Sequence, residues 1–340
     1  MKIFRLILLS FSVLGSAATA KYPDNFDEAL SVIAFGSCNR DELPQTLWPT
    51  IAKNDPDLWI WAGDNIYADW YRPPSGEKVK YTINRDWMTR RYIAQFTNPA
   101  YSALRKKTSV IGTWDDHDYG LNNAGAEFDL KEISRDLALS FLEVPLSDPR
   151  WARPGLYGSC DFGPVGQRTR IILIDNRYFM TPDDAEEATL LGPVQKQWLE
   201  DQIRNSNAEL HLIVSGIQFL SDQHRWDTWG KYPHERAWLL DLIKETEKRV
   251  VFISGDRHIH EISLYEDNEF PHPVTDITSS GMTHSWEKFP GEENPYRYGE
   301  VYSGKGFGLI HIDWSGDSPA ITLEIRDTEN TIQNQKQISY

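Results

Sequence analysis

Six apolar runs of four or five residues each stop abruptly at small or acidic residues, and this repetition constrains the fold more than any other feature. Ser31–Phe35 ends in Gly36-Ser37-Cys38, and Leu58–Trp61 runs out at Gly63-Asp64. Ser109–Thr113 leads into Trp114-Asp115-Asp116-His117-Asp118, and Arg170–Ile174 is followed by Asp175. Leu210–Val214 ends at Ser215-Gly216, and Val250–Ile253 at Ser254-Gly255-Asp256. Short apolar runs bounded by such residues read as strands.

Helix candidates alternate with these runs: Leu43–Lys53, Asn84–Gln95, Leu130–Leu142, Val194–Arg204 and Glu235–Lys248. In the last, Trp238, Leu239, Leu242 and Ile243 have the spacing of a helix face packed on a sheet. After residue 260 the pattern becomes strand after strand: Glu261–Tyr265, Val274–Thr278, Phe307–Trp314 and Ala320–Arg326. The alternation predicts one α/β domain over residues 21–340 with an added antiparallel component. The likeness of Phe35-Gly36-Ser37-Cys38 to Tyr157-Gly158-Ser159-Cys160 is isolated and reads as coincidence. Residues 66–82 and 285–305, rich in Tyr, Trp, Pro and Gly, read as loops over a site.

Residues 1–20 read as a signal peptide. Lys2 and Arg5 form a positive n-region, Ile7 to Leu14 an apolar h-region, and Ala18-Thr19-Ala20 a small-residue cleavage site, so the mature chain is expected to start at Lys21 in a secreted or periplasmic location. The apolar stretch is short for a bilayer span, and no stable membrane insertion is expected. The whole chain carries −15, and removal of Lys2 and Arg5, with no acid lost, leaves −17. So acidic a surface disfavours a nucleic-acid partner. An anionic substrate remains compatible if the site itself supplies cations. A monomer is expected.

The chemistry sits at the carboxyl ends of the strands, where open α/β sheets bind ligands. In order these ends offer Cys38-Asn39, Asp64-Asn65-Ile66-Tyr67, Asp115-Asp116-His117-Asp118 and Asp256-Arg257-His258-Ile259-His260. Carboxylates and Asn suit hard cations such as calcium, magnesium or manganese, whereas thiolate, phenolate and imidazole suit iron or zinc. The mixture suits two or more metal ions of different kinds. Two metals about 3.5–4 Å apart clamp the attacking and leaving oxygens of a displacement at phosphorus and lower the pKa of bound water.

The ordered set Gly36-Ser37-Cys38, Gly63-Asp64-x-x-Tyr67, Trp114-Asp115-Asp116-His117-Asp118 and Gly255-Asp256-Arg257-His258 resembles the PhoD-like alkaline phosphatases, within the calcineurin-like metallophosphoesterase superfamily. Leu173–Tyr178, Gly192–Gln195 with Trp198-Leu199, and Thr278–Gly281 with Thr283-His284 extend the resemblance over about residues 31–315. It implies a four-layer αββα sandwich of two mixed β-sheets flanked by helices. It also implies hydrolysis of phosphate monoesters or diesters of small molecules by metal-bound hydroxide.

Carried over residue by residue, the resemblance implies that Asp64 bridges the metals. Tyr67, Cys38 and His258 serve the first metal, and Asp116 and Asp256 the second. The oxygen-rich second set points to calcium beside iron, with zinc, manganese or magnesium as the other options. His117 matches a general acid for the leaving oxygen. Arg257 and Asn39 are candidates for contact with phosphate oxygens. Gln218 lies near a position where relatives carry a His ligand.

Other readings compete. The chain has only two cysteines, and an exported protein with Cys38 and Cys160 invites a disulfide, which would exclude Cys38 as a ligand. Of Asp115, Asp116 and Asp118 one is expected to be structural, and Asp115 is the choice. His260 is expected to support the site rather than enter it, and His284 divides evenly between substrate contact and structure. The alternative functions are a phosphodiesterase or phospholipase-D-like enzyme on lipid or nucleotide diesters, and a non-catalytic calcium-binding module. A Cys-based phosphatase loop, a Gly-x-Ser-x-Gly elbow and a His-Glu-x-x-His motif are all absent, and Gly299–Lys305 lacks the following Ser or Thr that completes a Gly-x-x-x-x-Gly-Lys phosphate loop.

Overall fold

A computed structural model describes residues 23, 26–69, 71 and 82–340. The signal peptide and most of the 66–82 segment lie outside the described residues. Two mixed sheets form the centre. The first has six strands: β1 (Val32–Gly36), β2 (Leu58–Ala62), β3 (Ser109–Thr113), β11 (Gly306–Asp313), β12 (Ala320–Asp327) and β13 (Ile332–Ser339). Their spatial order is β13-β12-β11-β1-β2-β3, with β1, β2 and β3 parallel and the rest antiparallel.

The second sheet has seven strands: β4 (Gly158–Phe162), β5 (Thr169–Leu173), β6 (Leu210–Val214), β7 (Val250–Ser254), β8 (His260–Tyr265), β9 (Val274–Ser279) and β10 (Arg297–Tyr302). Their order is β10-β8-β9-β7-β6-β5-β4, with β5, β6, β7 and β9 parallel.

Side-chain alternation along each strand sets the layers. In β2, Leu58, Ile60 and Ala62 join Ile33, Phe35, Leu212, Val251 and Ile253 between the sheets. The alternate residues Trp59 and Trp61 point the other way, into a cluster with Trp48, Tyr92, Tyr101 and Phe141. Those residues belong to or flank α1 (Trp48–Ala52), α2 (Arg85–Phe96), α3 (Pro99–Arg105) and α5 (Lys131–Phe141); the short α4 (Asp116–Tyr119) is part of the site. On the far side, Ile172, Ile213, Val250 and Phe252 meet Leu199 and Ile203 of α6 (Gly192–Arg204) and Leu239, Leu242 and Ile243 of α7 (Pro233–Thr246). Helices thus cover both outer faces, giving the four layers that the resemblance implies. Among the described residues no helix is long and apolar enough to cross a membrane.

Three strands depart from the expectations. β4 holds the segment read as a chance repeat and forms an edge antiparallel to β5. β10 lies within the segment read as a loop and is the opposite edge. β13, Ile-Gln-Asn-Gln-Lys-Gln-Ile-Ser, is half polar toward water and pairs with β12. All three are edge strands with one neighbour and little apolar patterning, so the signal that marks the central strands is missing from them. The first helix is also shorter than expected, five residues with Pro49 in its first turn.

Candidate metal centre

The parallel strands of both sheets deliver their carboxyl ends to one place. An isolated parallel bridge from Ser37 to Ser280 joins the end of β1 to the end of β9, stitching the sheets together at that end. Thr113 donates its hydroxyl to the Ile174 carbonyl at 2.6 Å, a second tie. The approach is tight enough to require glycine at two positions. A Cβ on Gly63, where φ is +90°, would lie 2.6 Å from the Asp115 Cβ, and one on Gly255 would lie 2.5 Å from the Ala62 carbonyl oxygen.

Asp64 is the hub. Its Oδ2 accepts from the Tyr67 hydroxyl at 3.0 Å and from the Cys38 thiol at 3.3 Å, and its Oδ1 accepts from the His117 amide at 3.3 Å. Ligand atoms of Asp64, Asp116 and His117 lie within 4.8 Å of one another, as do those of Asp115, Asp116 and Asp256, so Asp116 belongs to both groups. Tyr67 stacks on His117 with ring centroids 4.0 Å apart, and His258 faces His284 at 4.5 Å. Four of these residues hold a left-handed backbone: Cys38 at φ 58°, Asp64 at 52°, Asp256 at 67° and His258 at 56°. Non-glycine residues enter that region at a cost, and such strain gathers at functional sites.

Both cysteines are free, so the disulfide alternative is overturned. Cys38 is buried against Asp64 and Ser280, its sulfur 3.0 Å from the Ser280 hydroxyl, whereas Cys160 sits in the edge strand β4 opposite Ile171.

The electrostatics ask for cations. Burial first, then the neighbouring acids, push the Cys38 thiol and the Tyr67 phenol well above their ordinary values. Burial likewise drives Asp64 upward, with Asp116, Asp115 and Asp118 adding to it, and lifts Asp256 to about 7. Burial also works against ionisation of Asp116, yet His117, Arg177 and the Asn123 amide hold it below the usual carboxylate range. Burial would lower His117, but Asp116, Asp64 and the hydrogen bond that the ring donates to Asp69 outweigh it and raise the ring to about 10. Burial depresses His258 to about 4. In low dielectric Cys38, Tyr67, Asp64 and Asp256 are biased toward their protonated forms, a bias that added positive charge would reverse. Buried acceptors without a partner, Asp116 Oδ1 and Asp115 Oδ2, point the same way. The donor set of thiol, phenol, imidazole and carboxylates therefore fits metal ions.

One expected residue is placed differently from the rest. Asn39 is fully buried, and its Nδ2 donates to the Asn65 carbonyl at 3.2 Å and to Gln95 Oε1 at 2.7 Å, which leaves no donor for a phosphate oxygen. It ties loops together instead. Arg257 does line the open cavity, with one guanidinium nitrogen on Glu292 and its Nε unpartnered. Gln218 is turned to Glu261 and Thr278, 2.7 Å from each, behind the site. His260 bonds Ser279 and the Gly304 carbonyl, both at 3.1 Å.

Asp118, rather than Asp115 alone, is the structural acid. Its carboxylate accepts from the amides of Asp64 at 3.2 Å, Asn65 at 3.2 Å and Asp115 at 2.7 Å, binding two strand ends into one turn. Asp115 is held by the buried guanidinium of Arg177 at 2.6 Å and still presents an oxygen beside Asp116 and Asp256.

One further member of the site, Asp69, carries no local sequence mark. Asp69 bonds His117 Nδ1 at 2.7 Å and is itself held by the Asn122 amide at 3.2 Å. His284 reaches the Tyr67 hydroxyl at 3.3 Å. A cavity of about 450 Å³ opens on Asp116, His117, Asp256 and His258.

Comparison with known proteins gives a consistent result. A family model described as PhoD-like phosphatase matches residues 33–293. The curated protein "Alkaline phosphatase D" of Bacillus subtilis (strain 168) is 26% identical over an aligned length of 272 residues, gaps included, and the match covers 66% of this chain and 45% of that protein. The chain thus spans less than half the length of this relative. The solved "Structure of PhoD" superposes with a TM-score of 0.74 at 18% identity, over 94% of this chain and 73% of that one. "GAP50 the anchor in the inner membrane complex of Plasmodium" gives 0.55 at 13% identity, over 92% and 89%. These two likenesses speak for the fold.

Proposed function

Because this chain belongs to the PhoD-like phosphatase family, we propose that it hydrolyses phosphoric esters of small molecules at a site holding two or more metal ions. The observation that carries the reading is the convergence of Cys38, Tyr67 and the His117 amide on the two oxygens of Asp64, with Asp116 shared by the acid groups on either side. In this reading Cys38, Tyr67 and His258 would hold one metal, iron by the softness of the donors, Asp116 and Asp256 would hold calcium, and Asp64 would serve both. Metals bound there supply Lewis acidity toward the phosphoryl oxygens and a water acidic enough to react near neutral pH.

The chain's own groups do the rest. His117, oriented by Asp69, holds a proton at the mouth of the cavity and gives it to the departing oxygen. Arg257 offers guanidinium hydrogens to the phosphoryl group. The buried turn around Asp118 keeps Asp64 and Asp116 from shifting apart. A phosphodiester reading is favoured by one observation, that the cavity has room for more than one ester group.

Elemental analysis together with hydrolysis of p-nitrophenyl phosphate tests the proposal. The expected result is more than one equivalent of metal and an activity abolished by EDTA. A protein that stays metal-free after incubation with iron, calcium, zinc and manganese would instead favour a role without catalysis. We further propose export, with the mature chain starting at Lys21, which amino-terminal sequencing of the secreted product checks.

A further inference from the structure

Away from its acids and imidazoles, the cavity is lined by a chemically different group: Arg225, Trp226, Arg257 and Trp286. Its volume of about 450 Å³ is in the range that encloses a whole small molecule, roughly 300–1,000 Å³. The group attached to phosphorus therefore enters as well as the phosphoryl group.

Trp226 and Trp286 meet at 6.0 Å with ring planes 88° apart. Trp226 is 38% exposed, a large apolar surface to leave in water. It is nevertheless held in place. Its indole N–H donates to Glu292 at 3.1 Å, the same carboxylate that pairs with Arg257. The guanidinium carbons of Arg225 and Arg257 lie 4.5 Å and 5.6 Å from its ring centroid. Trp286 rests edge-on against Phe289 at 5.3 Å, and its amide donates to the His258 carbonyl at 2.7 Å, which fixes the corner relative to the site.

Two indoles at right angles let a flat ring stack on one and meet the other edge-on, the two favourable arrangements for aromatic pairs. Guanidinium groups beside the same corner add attraction for an electron-rich ring.

We propose that this corner is the leaving-group subsite, and that the preferred substrates are phosphate esters carrying a planar aromatic ring on the leaving side. The proposal rests on the phosphoesterase reading above. In the reaction the P–O bond to the leaving group breaks, water supplies a hydroxyl to phosphorus, and its remaining proton ends on the departing oxygen.

Calorimetric titration with phenylphosphonate and ethylphosphonate, whose P–C bonds are not hydrolysed by this chemistry, isolates binding. Wild type, Trp226→Ala and Trp226→Phe are compared, each checked by circular dichroism. The expected result is at least a tenfold preference for the phenyl compound in wild type and in Trp226→Phe, falling to about twofold in Trp226→Ala. Equal binding of the two ligands in wild type, no binding of either, or an undiminished preference in Trp226→Ala overturns the subsite. Turnover of 1-naphthyl phosphate and glycerol 1-phosphate, followed in parallel, separates the two claims. Binding preference without turnover of any ester supports the subsite and removes the phosphoesterase reading, whereas turnover without a binding preference removes the subsite alone.

Discussion

Tyr67 donates its hydroxyl hydrogen bond to Asp64 Oδ2 across 3.0 Å, from a position three residues further along the chain. That short link makes Asp64 and Tyr67 a candidate two-residue ligand unit, and the Cys38 thiol reaches the same oxygen from another strand.

Asp64→Asn is therefore expected to lower bound metal by at least one equivalent and kcat/KM by about 10³-fold, because several kcal/mol of transition-state stabilisation depend on the metals. Elemental analysis and steady-state kinetics on the same preparation check it. Full metal content with full activity would remove Asp64 from the centre.

Asp69→Asn keeps the shape of the hydrogen bond to His117 Nδ1 and removes its charge. If His117 protonates the leaving oxygen, kcat falls by roughly 10²-fold for alkyl esters, which need the proton most. The fall is smaller for aryl esters. His117→Ala should show the same dependence more strongly, and a uniform loss across leaving groups in both variants counts against proton donation.

His211 lies in the interior of β6, opposite Val250, and neither ring nitrogen meets a protein partner. Burial, with help from Lys248 and Arg170, depresses the ring to about 3 from its ordinary 6.5. A depressed folded-state pKa means that the unfolded chain takes up the proton first. The stability contributed by His211 is complete above about pH 6.5 and declines as pH falls toward 3, at up to about 1.4 kcal/mol per pH unit. His211→Leu is expected to flatten this part of the acid-side decline in Tm. An unchanged slope between pH 6 and 4 in thermal melts refutes the assignment.

Trp61 packs against Trp48, Trp59 and Tyr101 with centroids 5.4, 5.3 and 5.7 Å away, and its N–H reaches the Tyr101 hydroxyl at 3.0 Å. Trp61→Ala empties the centre of that cluster and should cost roughly 3–5 kcal/mol, lowering Tm by about 4–8 °C. A change within 2 °C would mean that the cluster repacks.

The central strands and the ligand-bearing strand ends were legible because each joins a short apolar run to a Gly-Asp or acidic signature, and both signals are local. Asp69 and the Trp226–Trp286 corner were not, and His284 was left evenly divided between substrate contact and structure, because their meaning arises only when residues distant in sequence come together. Asp69 meets His117 across 48 positions and Tyr67 meets His284 across 217. Asn39 misled for the opposite reason. It stands beside Cys38 in the sequence, but its side chain turns to Gln95. The edge strands β10 and β13 face water along much of their length and carry too little apolar alternation to be read.

The left-handed backbone at Cys38 and His258 has an evolutionary consequence. Glycine adopts that conformation without steric penalty, so at both positions replacement by glycine relieves the backbone while deleting a side chain of the centre. A backbone cost carried by non-glycine residues at these positions is what selection on the proposed activity would tolerate. Glycine at either position in a related sequence would mark a lineage that has kept the scaffold and abandoned the proposed reaction.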